Sequence, residues 1–354
     1  MFKGQLSAYT HYNPTNELQL WTGGRYIPQL NYSINLPQKN LIDFEASANI
    51  YGNVGMEPFS QFETDGNLKP YRAWARYSGK QFELRLGLQK INFGSAMMLR
   101  PLMWFDQVDP RDPLQLTDGV WGLLGRYYFL NNANLWIWGL WGNKEPKMWE
   151  TGKTDQQYPE FGGRYQSPLG GGETAFTYHF RVADTRKFDS PSIAFDEVAE
   201  NRFGIDGKWD VGVGLWFEAA WITKSKNVGS LTNQQIFNVG LDYTFGIGNG
   251  LNMVFEQLLF SFDRKPFAFS ANYWFSGLAT SYPVSIFDNL QAIIYYDWMN
   301  NSFYNFINWG KQFNKFDFNL MAYWNPEIYN MPAQNTDRML YGGKGLQVMV
   351  VYNH

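Results

Sequence analysis

The stretch that decides the fold runs from Phe82 to Phe129: FELRLGLQKINFG (82–94), SAMMLRPLMWFDQVDPRDPLQLTDG (95–119) and VWGLLGRYYF (120–129). Its two ends alternate. Phe82, Leu84, Leu86 and Leu88 fall on one side of an extended chain, with Glu83, Arg85 and Gln89 on the other. Trp121, Leu123, Tyr127 and Phe129 repeat the pattern, with Arg126 and Tyr128 opposite. Period-two alternation marks a strand with one apolar and one polar face. The 25 residues between, 95–119, are rich in Pro, Asp, Met and Trp. A structureless loop of that length is normally functional. The expectation is a loop folded into the lumen of a membrane β-barrel, with the rest of the chain as its wall.

Composition agrees. Of 354 residues, 45% are hydrophobic, 19% aromatic and only 17% charged, yet mean hydropathy is −0.38. Apolar and polar residues must therefore be finely interleaved, as in transmembrane strands whose alternate residues face lipid. The absence of Cys excludes disulfides and thiolate metal sites. A net charge of −3 provides no basic field for nucleic acid. A spanning helix over Val120–Trp141 would bury Arg126, Asn131, Asn132 and Asn134, at real cost. The Asn131-Asn132 pair reads instead as a tight turn. The chain opens MFKGQLSAYTHYN, already alternating, so either Met1 replaces a removed leader or the numbering starts at the mature end; an exported protein is the expectation.

The pattern repeats to the last residue as one barrel domain, 1–354, of about eighteen strands. They are expected at 2–12, 17–34, 41–52, 70–78, 81–94, 120–130, 133–143, 160–167, 172–184, 201–210, 213–225, 234–247, 250–263, 266–284, 287–299, 302–312, 315–325 and 344–354. Most approach the roughly 9–11 residues a tilted strand needs to cross a bilayer. Short polar turns such as 36–40, 78–80 and 131–132 alternate with longer segments at 53–69, 95–119, 144–159, 185–200, 226–233 and 326–343. Short turns at one rim and long loops at the other mark an outer-membrane barrel; an even strand count places both termini at the periplasmic rim.

The alternation assigns faces. Val239, Leu241, Tyr243 and Phe245 point to lipid, with Asn238 and Asp242 inward; Leu290, Ile294 and Trp298 point out, with Gln291, Tyr295 and Asp297 inward. Strands 133–143 and 302–312 are apolar on both faces and have no assigned register. At the C-terminus Val348, Val350, Tyr352 and His354 alternate. This is similar to the terminal insertion signal of outer-membrane proteins, with His354 in place of the usual terminal Phe.

The inward charges cluster. Arg72, Arg76, Arg85, Arg126, Arg164, Arg181 and Arg202 fall on consecutive strands and predict a basic arc on one side of the lumen. Asp43, Glu45, Glu218, Asp242, Glu256, Asp297 and Asp317 predict an acidic arc facing it. Opposed arcs set up a transverse field that orients polar solutes; the bland alternative is that the charges pair across neighbouring strands. In loop 95–119 an apolar half with Met97, Met98, Met103, Trp104 and Phe105 is expected to pack on the inner wall. An acidic half with Asp106, Asp109, Arg111 and Asp112 is expected to face the arginines across a constriction. The DPRDP run lacks the Gly and distal Glu of a calcium loop, so no metal site is assigned. With His11, His179 and His354 the only histidines, and no Walker loop, no catalytic residue or cofactor is assigned. His179, beside Thr177 and Arg181, reads as a lumenal hydrogen-bonding residue.

GLQKINFG (87–94), followed by RP and then DQVDPRDP (106–113), resembles a pattern of Gram-negative porins, including substrate-specific and alginate-export-type porins. There a strand reading G-x-Q-x-(aliphatic)-x-(aromatic)-G precedes a long loop carrying an N/D-P-x-D-P motif. Gly87, Gln89, Ile91, Phe93, Gly94, Asp109, Pro110, Asp112 and Pro113 match; Leu88 stands where the family usually has Arg or Lys. Aromatic and Asn content is similar to that of outer-membrane proteins of the Bacteroidota. The resemblance implies an all-β transmembrane antiparallel barrel in a Gram-negative outer membrane, passing small polar or anionic solutes passively. It implies lipid and hydrophilic solutes as partners and a homotrimer or larger outer-membrane assembly. Two rival readings are a non-conducting barrel serving as accessory subunit of a larger complex, for which the two-faced strands would suit a protein contact, and a transporter of apolar solutes.

Overall fold

The computed structural model describes residues 1–57, 61–186, 196–328 and 341–354. Eighteen strands form one antiparallel sheet: β1 (Phe2–Tyr12), β2 (Leu20–Asn35), β3 (Leu41–Met56), β4 (Phe62–Ser78), β5 (Phe82–Gln89), β6 (Val120–Tyr128), β7 (Asn134–Leu140), β8 (Glu160–Leu169), β9 (Gly172–Asp184), β10 (Glu197–Asp210), β11 (Gly214–Lys224), β12 (Asn233–Phe245), β13 (Leu251–Asp263), β14 (Asn272–Pro283), β15 (Asp288–Asp297), β16 (Ser302–Phe313), β17 (Phe316–Trp324) and β18 (Lys344–Asn353). Each pairs with its sequence neighbours, and β1 pairs with β18 from Gln5↔Asn353 to Tyr12↔Leu346. The sheet is therefore a closed barrel with no free edge, the form in which every strand's backbone groups can be satisfied in lipid. Short turns gather at one rim and long loops at the other, as the spacing predicts.

Several boundaries differ from expectation. β3 and β4 extend to Met56 and Phe62, so the loop expected at 53–69 shrinks to 57–61, of which 58–60 lie outside the described residues. Pro70 reads as a strand start because it has no N–H for the ladder. Here a bulge absorbs it: Ser47 pairs with Arg72 but Ala48 with Pro70, leaving Tyr71 unpaired. β14 begins at Asn272 rather than 266, because Asp263 accepts the amides of Lys265 and Ser270 (3.1 and 3.0 Å) and folds the intervening loop. β5 ends at Gln89, so residues 90–94 leave the wall instead of extending it. Parts of the expected loops 185–200 and 326–343 lie outside the described residues.

The faces follow the alternation. Val239, Leu241, Tyr243, Phe245, Leu290, Trp298 and Ile205 are exposed on the outside, while Asn238, Tyr295, Asp297, Arg202 and Asp206 are buried within. Outward aromatics band both rims: Trp121, Trp141, Trp274, Trp298 and Trp324 at the long-loop end, Phe82, Tyr127, Tyr243 and Phe316 at the other. At the seam, His354 stacks with Tyr26 and Tyr352 at 5.9 and 5.8 Å. An imidazole thus occupies a place in the aromatic band.

The two strands that read as apolar on both faces have distinct sides. Ile137 of β7 and Phe303 of β16 are exposed outside, whereas Trp138, Leu140, Tyr304 and Phe306 are buried inside. Their inner faces are covered by the chain's own inward loops, as described next.

Candidate functional site: the lumen and its inward loop

Loop 95–119 lies inside the barrel. The entry of the chain into the lumen starts at Ile91 and Phe93, both buried, and turns at Gly94 (φ +94). A Cβ there would lie 2.3 Å from Glu218 Oε1, so only glycine permits both the turn and the approach. Beyond it the backbone docks on β11–β13. Glu218 accepts the amides of Ala96 (2.7 Å) and Leu102 (3.2 Å). Glu256 accepts those of Met97 (2.6 Å), Met98 (3.1 Å) and Leu99 (2.6 Å). Between them Asn238 donates to Leu99 O at 2.5 Å. Both glutamates are buried. Five charge-assisted bonds from two carboxylates thus hold one segment of loop against the wall facing its own strands.

Packing completes the docking. Met98, Leu99, Leu102, Trp104 and Phe105 join one buried cluster with Ile236, Val254, Leu258, Phe275 and Tyr295 of the wall. Phe93 stacks on Trp138 at 5.9 Å, and Phe105 meets the same ring edge-on at 5.4 Å. This explains the apolar inner face of β7. Within the loop, Arg100 pairs with Asp106 (3.1 Å) and donates to Asn92 (2.6 Å) and Phe93 O (3.2 Å). The loop between β7 and β8 also turns inward: Trp149 donates to Arg100 O at 2.8 Å.

The acidic half does not face the wall arginines. Asp106 is paired with Arg100, and Asp109 with Arg111 (2.5 Å), while Asp112 accepts the amides of Leu114 (2.9 Å) and Leu116 (3.3 Å). Burial raises the Asp112 carboxyl above its ordinary range. The Arg111 guanidinium lies over Phe306 (4.9 Å) and Tyr341 (4.7 Å), which accounts for the apolar inner face of β16.

The arginines of the expected arc fall into two groups. Toward the short-turn rim, Glu83 lies between Arg85 (3.0 Å), Arg76 (3.4 Å) and Arg126 (3.6 Å), and Arg76 also holds Asp43 at 2.9 Å. Tryptophans interleave: Arg85 is 4.9 Å from the Trp74 ring and Arg126 3.9 Å from Trp136. These three arginine side chains keep 14–28% of their surface exposed. Farther up, Arg164 forms a two-bond pair with Asp206 (2.6 and 2.8 Å), and Arg181 and Arg202 share Glu200 and Glu150 with Lys224 alongside. These are buried behind the inward loops. Arg72 ties down the end of loop 95–119 by donating to Thr117 O at 2.9 Å. The acids that partner the arginines are thus mostly neighbours on the same half of the barrel. Of the acids expected opposite, Glu218 and Glu256 hold the loop, Asp297 accepts the amides of Met299 and Asn300 (2.8 and 3.1 Å), and Asp242 packs beside Gly214.

His179 is fully buried, bonded to Trp138 Nε1 (3.2 Å) and Glu160 (3.2 Å); His11 is bonded to the Tyr323 hydroxyl at 2.6 Å. Among the described residues no group of three or more His, Cys, Asp or Glu is placed to hold a metal ion. Sequence reading missed Arg100, Trp149, Glu150 and Glu200. A signal existed for Arg100, a charge inside the apolar half of the loop; Glu200 needed the strand register, and Trp149 and Glu150 needed the resting place of the loop between β7 and β8.

Open space remains between the loop tip and the half of the wall away from the arginines. A recess of about 450 Å³ is bounded by 110–115 of the loop and by β1 and β15–β18. A smaller one of about 170 Å³, lined by Tyr9, Arg25, Tyr51, Asn53 and Asp112 among others, adjoins it.

No protein-family model matches the chain, and no curated protein matches it in sequence. Among solved structures, the chain is similar to OccAB4 of Acinetobacter baumannii at 10% identity and TM-score 0.58, covering 100% of this chain and 98% of that one. It is similar to Wzi of Escherichia coli, described as a carbohydrate-binding β-barrel involved in capsule assembly, at 11% identity and TM-score 0.56, covering 98% and 83%. It is similar to OmpF of Salmonella typhi at 11% identity and TM-score 0.54, covering 100% and 97%. At these identities the likeness speaks for fold, and the fold is that of an outer-membrane porin-like β-barrel, closed by eighteen antiparallel strands around an inward loop.

Proposed function

We propose that this chain is a passive porin of a Gram-negative outer membrane, admitting small polar or anionic solutes through a lumen narrowed by loop 95–119. The observation that carries the reading is the long loop docked inside a wide closed barrel beside unfilled polar recesses. Arg76, Arg85 and Arg126, partly exposed and outnumbering Glu83 and Asp43, are the proposed selectivity residues. The deeper Arg164, Arg181 and Arg202 act by holding the wall and loops in place. Lipid on the banded outer face, and a homotrimer or larger assembly, belong to the same proposal.

Planar-bilayer recording of the purified chain under a salt gradient tests it. A steady current with anion preference, reduced in R85Q/R126Q, is the expected result. A second reading is favoured by one observation, the continuous apolar cluster that two inward loops build across the lumen. On that reading the barrel does not conduct and serves as an accessory subunit of a larger complex. Absence of current from a well-inserted barrel would overturn the porin proposal in its favour.

A further inference from the structure

The inner wall is chemically uneven. Arginines occupy the half from β4 to β10, whereas the recess of about 450 Å³ on the other side is lined by amides. Gln5, Asn289, Gln291, Asn308, Gln312 and Asn319 bound it, closed over by the loop tip at 110–115. The amides are partly organised: Asn308 donates to Asn319 Oδ1 at 3.2 Å, and the Ser281 hydroxyl donates to Asn289 Oδ1 at 3.1 Å. Asn308 Oδ1 is buried with no protein partner among the described residues. The volume lies within the roughly 300–1,000 Å³ of small-molecule sites.

Charge narrows the ligand. Both cations at the edge are already engaged, Arg111 by Asp109 (2.5 Å) and Lys311 by Asp288 (3.2 Å). Two further carboxylates, Asp112 and Asp317, border the space. Among the described residues Asp317 accepts a neutral amide bond, from Asn353 at 2.9 Å, and pairs with no cation. An anion would meet this negative edge with no unpaired cation among the described residues lining the recess; the next cation, Arg25, lies beyond Asp112 in the adjoining recess. A side-chain amide, in contrast, offers both a donor and an acceptor, the pair of functions a hydroxyl also presents.

We propose that the amide-lined recess between the tip of the inward loop and β15–β18 is a binding subsite for neutral polyhydroxylated solutes of monosaccharide to disaccharide size. This names a solute class for the proposed channel and rests on that reading, but binding is measured apart from conduction so that each can fail alone. The probes are sorbitol and gluconate, which share a polyol chain and differ by a terminal carboxylate. Saturation-transfer NMR of the whole chain in detergent micelles is expected to show sorbitol binding and gluconate binding at least several-fold weaker. In Q291L/N308L, sorbitol binding is expected to weaken about tenfold, the loss of two neutral hydrogen bonds. Equal or tighter binding of gluconate overturns the proposal, as does unchanged sorbitol binding in the double variant. If that variant does not fold, the matched pair on the unaltered protein still decides. Current through the barrel without sorbitol binding sinks only this inference; binding without current sinks only the porin reading.

Discussion

Replacing Glu256 with alanine removes the acceptor of three loop amides, those of Met97, Met98 and Leu99. A hydrogen bond to a charged group contributes about 1.5–3 kcal/mol, so the three together hold the segment by on the order of 4–9 kcal/mol. Water admitted to the lumen would re-satisfy the freed amides in part. The apolar anchors Leu99, Leu102 and Trp104 remain. A net loss of about 3–4 kcal/mol of docking free energy is therefore expected, which multiplies the population of the undocked segment by roughly 10²–10³. The chain has no Cys, so a single Met98→Cys is a unique reporter, and the Met98 side chain is buried while its segment is docked. In that background, the rate of labelling by a small thiol reagent should rise at least a hundredfold on adding E256A. E256Q, which keeps one carbonyl acceptor, should fall between. The barrel itself should stay folded by its electrophoretic heat shift, because its ladder does not depend on the loop. Labelling rates within about twofold of one another would refute the argument that this carboxylate holds the loop.

Other consequences concern the pivot and the buried charges. Gly94→Ala places a methyl 2.3 Å from Glu218 Oε1 at a positive φ, and should lower the yield of inserted barrel and raise Met98→Cys labelling; an unaltered yield and rate would count against Gly94 as the pivot. Removing Asp206 alone strands the buried Arg164 and should cost about 3–5 kcal/mol in urea unfolding, whereas D206L/R164M should recover most of it; equal loss in both would contradict the assignment of the cost to an uncompensated charge.

Much of this fold is legible along the chain because alternation is a local property. Each strand states its own inward and outward faces, and all eighteen expected strands have a counterpart in the barrel. Where local reading slips, the cause is also local in kind but needs a partner to see. Pro70 begins a strand only if the chain cannot bulge beside it, and here Tyr71 bulges out of β4 opposite Ser47–Ala48. The two strands apolar on both faces could be given no register, because what covers their inner sides lies elsewhere in the chain. Trp138 packs under Phe93 and Phe105, and Phe306 under Arg111.

The sequence by itself determined the barrel class, the strand number, the alternation of short turns and long loops, and the inward loop with its apolar half. Only the tertiary structure decided what the inward charges do. Glu218 and Glu256 meet loop amides from 116 to 159 residues away, and Glu83 falls within 3.0–3.6 Å of three arginines on three strands. Alternation tells which way a side chain points; its partner depends on the stagger between strands and on where the loop comes to rest. Those are fixed by closure of the whole sheet and by packing within it, and no single strand carries them.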